Sequence, residues 1–363
     1  MKMELGRDTP HRPRKAIAGD QQPARRDDIE AARELVGQAR DAEQREQTAK
    51  ALGLYDDALS QFHPDSAHPY YADVLRWKGT LLRERGETEA AFRCYTHSLA
   101  RASRAHSDLG QAHALNCLAI IAQRRGDQKE TERLYRKASA LATKAGDSRL
   151  IGMIEQNRGV LANMRGDFAA AIDYYANSLA AFEAAEDWEA ASWVLNNMGM
   201  LQTKIRNFGE AQEYIQRGLA IASTRRDAIV SSILTLNLAE LWIAMGQLDR
   251  ADELCAVALE EAQCRGDHLT AAGALKCRAS IERERGALDK SIATLRIAIY
   301  EAEGAEDRLL HAEMLRELGE ISRALGNSGA AKSAWREAAE SFKQIGARHD
   351  LADLNLRMNA LPV

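Results

Sequence analysis

The chain has 363 residues, 45% of them hydrophobic, and a formal net charge of -4, so it can build a core and is not basic. That charge balance gives no electrostatic reason to expect nucleic acid or an anionic membrane as a partner. Only six prolines occur, and none lies between Tyr70 and Leu361. Because proline costs ~3 kcal/mol inside a helix and all-β folds need many tight turns, the composition predicts an all-α protein.

The first part of the chain differs from the rest. Residues 1–26 hold three prolines and mixed charges, which predicts a disordered, solvated tail. Residues 27–69 are predicted to form one long helix from Asp27 to Leu52, a degenerate repeat turn at Gly53 and a proline-containing linker.

A turn that usually contains glycine then recurs every 40 residues. It falls at Gly86, Gly126, Gly166, Gly246, Gly286 and Gly326, and Arg206 stands at the one position of the series without glycine. Seven residues before each turn the side chain is always Gly or Ala, and nine residues after it a bulky side chain occurs in most repeats. This pattern predicts a helix A, a turn whose glycine needs positive φ, and a helix B. Seven such units are expected over 70–348, closed by a capping helix and tail over 349–363.

A second periodic signal lies close to the midpoint between successive turns. It consists of the aspartates Asp147, Asp187, Asp227, Asp267 and Asp307. Aspartate accepts hydrogen bonds from free N–H groups at a helix start, so these residues are predicted to be N-caps of helix A. A ladder of metal ligands is the alternative, but capping explains the spacing without further assumptions.

The segment Gly166-Asp167-Phe168, with Ala171, Tyr175 and Ser178 behind it, resembles the tetratricopeptide repeat signature. The 40-residue length is similar to the long-helix repeats of kinesin light chains, polarity adaptors and bacterial peptide-receptor regulators. The resemblance covers about residues 70 to 354. It implies a right-handed α-solenoid of about seven to eight helix-turn-helix repeats, whose A helices line a concave groove.

The sequence contains no phosphate-binding loop, dinucleotide fingerprint, metalloprotease motif or nucleophile elbow. No Cys or His spacing fits a zinc site, and the five cysteines form no C-x-x-C pair. The N-terminus has no apolar signal region, and no apolar run reaches membrane-spanning length. We therefore expect a cytoplasmic protein that is not an enzyme, has no cofactor and does not insert into a membrane.

The groove prediction depends on the variable face of helix A. Asn157, Asn197 and Asn237 share one column in three consecutive repeats, and related arrays use such amides to bind the backbone of an extended peptide. The alternative is that these asparagines only bridge neighbouring helices. Likewise, the apolar side chains beside them either form pockets for ligand side chains or belong to the core between repeats. The cations on the same face would bind a ligand carboxylate. The full set of predicted groove residues is Asn157, Asn197, Asn237, Asn116, Asn196, Gln156, Trp193, Met200, Arg124, Lys204, Arg76 and Trp77.

Three functions compete on this evidence. The first is an adaptor or scaffold that binds a peptide or protein segment in the groove. The second is a regulatory sensor in which a ligand changes the shape of the superhelix to control an effector. The third is a self-associating structural scaffold, since a homo-oligomer is compatible with the sequence but not implied by it.

Overall fold

The computed structural model describes residues 26–63, 66–302 and 307–361, and within these ranges it contains helices and turns but no strand. Residues 1–25 of the predicted tail over 1–26, and the linker residues 64 and 65, lie outside them. In chain order the helices are α1 Arg26–Gln44, α2 Thr48–Ser60, α3 Pro69–Glu84, α4 Thr88–Arg104, α5 Asp108–Arg124, α6 Gln128–Ala145, α7 Ser148–Arg165, α8 Phe168–Ala184, α9 Trp188–Lys204, α10 Phe208–Arg225, α11 Ala228–Ala244, α12 Leu248–Arg265, α13 His268–Glu284, α14 Leu288–Glu301, α15 Arg308–Ala324, α16 Ser328–Ile345 and α17 Arg348–Ala360.

The prediction of an all-α solenoid is confirmed. The chain divides into two compact units, residues 1–110 and 111–363, with the division in the first turn of α5. In the N-terminal unit α1 packs on α2 and α3 packs on α4. In the C-terminal unit odd-numbered A helices alternate with even-numbered B helices, and α17 follows as one more A helix. Among the described residues, no helix combines the length and the apolar character needed to cross a bilayer.

The prediction of one long helix from Asp27 to Leu52 is wrong. The chain turns between α1 and α2, where Glu46 takes a φ of 57°, and Gly53 lies inside α2. The two helices enclose a core that includes Val36, Tyr55 and Phe62. Glu46 lies one repeat length before Gly86, so the predicted degenerate repeat has its turn at Glu46 and not at Gly53.

Positive φ angles mark most of the described turns. The described residues with positive φ follow one another at intervals of 20 or 40 residues, at the end of either a helix A or a helix B. Nine are glycines, which adopt this conformation without penalty. The other five are Glu46, His106, Glu186, Arg206 and Arg226. The predicted role of the turn glycines is confirmed, and the turns between units use the same conformation.

The predicted aspartate caps are confirmed as well. Each of the five accepts a hydrogen bond from the backbone N–H three residues further on, at the start of α7, α9, α11, α13 or α15. The Asp147 carboxylate, for example, lies 2.8 Å from the Leu150 nitrogen. Helix starts are therefore specified locally, before any packing between helices.

Packing within a unit joins the small column of helix A to the bulky column of helix B. A Cβ atom built on Gly159 would lie 2.6 Å from the ring of Tyr175, and one on Gly319 would lie 2.1 Å from Nε1 of Trp335. Both bulky side chains are almost fully buried. Glycine at these positions therefore provides the space that the large side chain of the same unit fills.

Candidate functional site

A central cavity of about 380 Å³ lies within the C-terminal unit. Its walls come mainly from successive A helices, and we call it the central cavity. Lining residues from its earlier helices are Val160, Asn163, Met164, Tyr175, Asn197, Met200, Thr203, Lys204, Asn237 and Glu240; those from the end of the chain are Leu309, Glu313, Arg316, Ile345, Ala347 and Asp350. Four predicted groove residues, Asn197, Met200, Lys204 and Asn237, are thus brought together.

Several of the predicted amides also bond to each other across neighbouring A helices. The Asn157 side chain donates to Oδ1 of Asn116 at 3.2 Å, and Asn237 donates in the same way to Asn196. Asn116 and Asn196 are buried, at 3% and 5% exposure. Of the three column asparagines, Asn157 and Asn237 therefore bridge neighbouring helices. Asn237 also lines the cavity. Each side-chain amide has a second N–H and a carbonyl oxygen, so bridging does not exhaust its capacity.

The two predicted apolar contacts differ in their surroundings. Met200 is 37% exposed and lines the central cavity. Trp193 is partly buried and packs against the cluster formed by α10 and α11 residues such as Ile215 and Leu234. Gln156 is half-buried in the middle of α7.

The predicted cations are dispersed. Arg124 is exposed at the end of α5. Arg76 and Trp77 belong to the N-terminal unit, where Arg76 pairs with Asp73 at 3.1 Å. Trp77 packs against the α1–α2 core there, with the Arg40 guanidinium 4.4 Å from its ring. Of the predicted cations, Lys204 lines the central cavity.

The later A helices, α11, α13 and α15, are joined to each other by ion pairs. Lys276 of α13 lies between Glu240 of α11 and Glu313 of α15, with N–O distances of 2.8 and 2.6 Å. Arg283 pairs with Glu317 at 2.8 Å. These groups line a second cavity of about 170 Å³, which is mainly polar.

Electrostatics keeps this cluster charged. Burial alone would lower the pKa of Lys276, but the carboxylates of Glu240 and Glu313 outweigh it and hold that pKa well above its ordinary value. Burial would raise the pKa of Glu313, yet Lys276, Arg316 and Lys204 lower it. The Glu313 carboxylate and the Lys276 ammonium group thus remain ionised around neutral pH.

Asp350 is a charged cavity residue that sequence reasoning missed. It lies in the first turn of α17, and its carboxylate accepts hydrogen bonds from Lys204 at 3.2 Å and from Arg316 at 3.3 Å. Beside it, the His349 ring meets the Phe168 ring edge to face at 5.0 Å. The end of the unit therefore touches α8 and α9, far away in sequence, and encloses the central cavity.

Comparison with known proteins agrees with this fold. Residues 70–144, 110–184 and 150–224 each match the tetratricopeptide repeat family model. No match was found among curated protein sequences.

Several solved structures are similar. The apo form of RapI is 15% identical, with a TM-score of 0.59, over 75% of this chain and 97% of that one. Aspartyl phosphate phosphatase F from Bacillus subtilis is 13% identical, with a TM-score of 0.60, over 77% and 72%. A signal transduction ATPase from Pyrococcus horikoshii with a tetratricopeptide repeat sensor is 15% identical, with a TM-score of 0.60. There the alignment covers 90% of this chain but only 47% of that one.

At these identities the likeness concerns the fold alone. The matched segments show that the chain contains tetratricopeptide repeats over residues 70–224, and the regularly spaced helix pairs continue beyond them.

Proposed function

We propose that the chain is a non-enzymatic binding protein that holds a peptide or a protein segment in the central cavity of its C-terminal unit. Its repeat fold, with Rap proteins among the similar structures, fits a role in protein–protein interaction or regulation. The main support for binding in this cavity is a set of three side-chain amides that line it from successive A helices, those of Asn163, Asn197 and Asn237.

An extended peptide is the ligand that suits these amides. Its backbone offers an N–H and a C=O group at each residue, and side-chain amides can bond to both. Asn163, Asn197 and Asn237 present amides from three successive A helices to one cavity. Met164 and Met200 lie among them, and methionine adapts its shape to different apolar side chains. A volume of about 380 Å³ is within the range of roughly 300–1,000 Å³ usual for ligand pockets.

The decisive experiment uses the purified full chain and a pool of random-sequence hexapeptides. After size exclusion, mass spectrometry identifies the peptides that co-elute with the protein. We expect the wild type to retain a defined subset and Asn197→Ala to lose it, because this substitution removes a cavity amide that forms neither of the two described bridges. Asn237→Ala should weaken retention too, but it also leaves the buried Asn196 without its bridge.

Asn177→Ala is the matched control, since Asn177 is exposed on α8 and does not line the cavity. Circular dichroism should show the same helicity for all three variants. Retention of the same peptides by Asn197→Ala and the wild type would overturn the assignment to this cavity. Absence of any retained peptide in the wild type would overturn peptide binding itself.

A regulatory sensor is the second candidate, favoured by the contact of Asp350 with Lys204. If ligand binding alters this contact, the C-terminal unit changes its dimensions, and the N-terminal unit is then the candidate effector module. Small-angle scattering with and without a retained peptide separates this function from a static adaptor. Sedimentation of the free chain tests self-association.

A further inference from the structure

Asp350 places a carboxylate of the chain itself in the wall of the proposed binding cavity. Lys204 and Arg316 reach it from two different A helices, at 3.2 and 3.3 Å. The side chain of Asp350 is 19% exposed and those of the two cations are 30% and 32% exposed. The carboxylate is therefore largely enclosed but still accessible to exchange with a group in solution.

The charges around the central cavity balance with Asp350 included when Lys276 of the second cavity is counted with them. Lys204 and Arg316 are the cations of the lining, and its carboxylates Glu240 and Glu313 both pair with Lys276. Without Asp350, this set has one positive charge in excess. One further carboxylate at the position of Asp350 restores neutrality, and a cation or a neutral group there does not.

The contact of Asp350 can break without unfolding its helix. Leu354, one turn further along α17, is fully buried in a cluster with Trp335, Ala338 and Phe342 of α16. This cluster holds α17 on its own neighbour. The contact with α8 and α9 depends instead on Asp350 and on the His349–Phe168 ring pair.

We propose that Asp350 stands in for a carboxylate of the ligand, so that the central cavity binds acidic peptides and the ligand displaces Asp350 from Lys204 and Arg316. This inference rests on the proposed function and names the class of ligand. Displacement would also release the end of the C-terminal unit from α9, so binding of an acidic peptide opens the enclosed cavity.

The ion pairs of Asp350 with Lys204 and Arg316 are weak enough for a ligand carboxylate to displace Asp350. Ion pairs between partly exposed side chains are individually weak and are screened by salt. A ligand that supplies both a carboxylate and backbone hydrogen bonds can therefore outcompete Asp350. Removal of Asp350 should raise the affinity for an acidic ligand by about fivefold, because the competitor is lost while both cations remain.

The test compares two pools of hexapeptides that are acetylated and amidated at their ends. The pools differ only at one fixed position, Asp in one and Asn in the other, and Asp and Glu are excluded from the random positions. The proteins are the wild type, Asp350→Asn, Lys204→Gln and the control Asp353→Asn. Asp353 lies on the same helix and pairs with Arg357 at 2.8 Å, away from both cations.

The wild type should retain the Asp pool about tenfold better than the Asn pool, as expected for a charge-assisted hydrogen bond. Asp350→Asn should raise retention of the Asp pool about fivefold and leave the Asn pool unchanged. Lys204→Gln should lose the preference, and Asp353→Asn should behave as the wild type. In small-angle scattering, the radius of gyration of Asp350→Asn should exceed that of Asp353→Asn.

Failure of the inference about Asp350 and failure of the proposed function give different results. Equal retention of both pools by the wild type would leave peptide binding intact and overturn the inference about Asp350. Retention of neither pool by any variant would overturn the proposed function and the inference with it. A preference for the Asp pool with no gain in Asp350→Asn, or an unchanged radius of gyration, would refute the displacement of Asp350.

Discussion

Replacing Gly319 by Ala should destabilise the last complete repeat, although alanine favours helices more than glycine does. The added methyl group would lie 2.1 Å from Nε1 and 2.2 Å from Cδ1 of Trp335. This indole is fully buried and donates a hydrogen bond to the Arg316 carbonyl at 3.1 Å. The ring must therefore move within a closed core.

The magnitude follows from three contributions. Overpacking of a core costs about 1–3 kcal/mol, and loss of the indole hydrogen bond costs about 0.5–1.5 kcal/mol more. The gain in helix propensity from Gly to Ala returns up to about 1 kcal/mol. We therefore expect Gly319→Ala to lower the free energy of unfolding of α15 and α16 by about 2 kcal/mol.

Hydrogen exchange read by mass spectrometry is the appropriate assay, because repeat arrays open locally and a global midpoint averages over units. Faster exchange in α15 and α16 is the expected result. Gly329→Ala is the control in the same repeat, since the nearest atom to its new Cβ would be Oδ1 of Asn327 at an ordinary 3.7 Å. It should slow exchange or leave it unchanged.

A second substitution tests the packing argument itself. In the preceding repeat, Ala279 and Leu295 stand at the positions of Gly319 and Trp335. Both are fully buried in one cluster, so an Ala–Leu pair is compatible with this fold. Trp335→Leu alone should leave a cavity, but combined with Gly319→Ala it should cost about 1–2 kcal/mol less than the sum of the single effects. Additive effects, or wild-type stability of Gly319→Ala, would refute the reasoning.

Three further predictions concern caps, charges and turns. Burial would raise the pKa of Asp267, but hydrogen bonds from Thr270 at the start of α13 outweigh burial and lower it. The cap therefore stabilises the fold above the unfolded pKa of about 3.9, and this stabilisation is lost as pH falls through the folded pKa. Thermal unfolding should show Asp267→Ala to be less stable by about 1 kcal/mol at pH 6, with a difference that shrinks in acid. Lys276→Met should destabilise α11–α15 by about 2–4 kcal/mol in urea unfolding, because Glu240 and Glu313 lose their shared partner in a partly buried site. Arg206→Gly should raise the thermal midpoint through a gain of about 0.5–1 kcal/mol, since the φ of 64° at Arg206 is unfavourable for any residue with a Cβ.

Each of these has a result that contradicts it. A pH-independent difference for Asp267→Ala would mean that its carboxylate does not act as a charged cap. If Glu313→Gln fails to recover part of the stability lost in Lys276→Met, an unpaired charge is not the cause. A lower thermal midpoint for Arg206→Gly would show that the Arg206 side chain has a stabilising contact that outweighs the strain.

Much of the fold could be predicted from the sequence because its signals are local and repeat. A turn glycine such as Gly166, a cap such as Asp147 and a small residue such as Gly159 each act within one unit. The turn at Glu46 was missed because glutamate can occupy a positive-φ position that glycine usually marks. Its only signal was its place one repeat length before Gly86.

The cavity was only partly predictable, for a different reason. Asn197, Met200 and Lys204 lie on one helix, so the helical period alone places them on a common face. Asp350 meets Lys204 across 146 residues of sequence, and this meeting is the sum of small rotations from one repeat to the next. No single column of the repeat contains that information.

The pairing of a small residue with a bulky one inside each unit has a consequence for how the array could change its length. Because each unit supplies both members of its pair, a duplication or a loss of one whole unit would leave every remaining small–bulky pair complete. The meeting of Asp350 with Lys204 would not survive such an event, since the path between them would gain or lose one step. The enclosed cavity thus depends on the number of units between these two residues, and selection on it would conserve that number even where the individual repeats diverge.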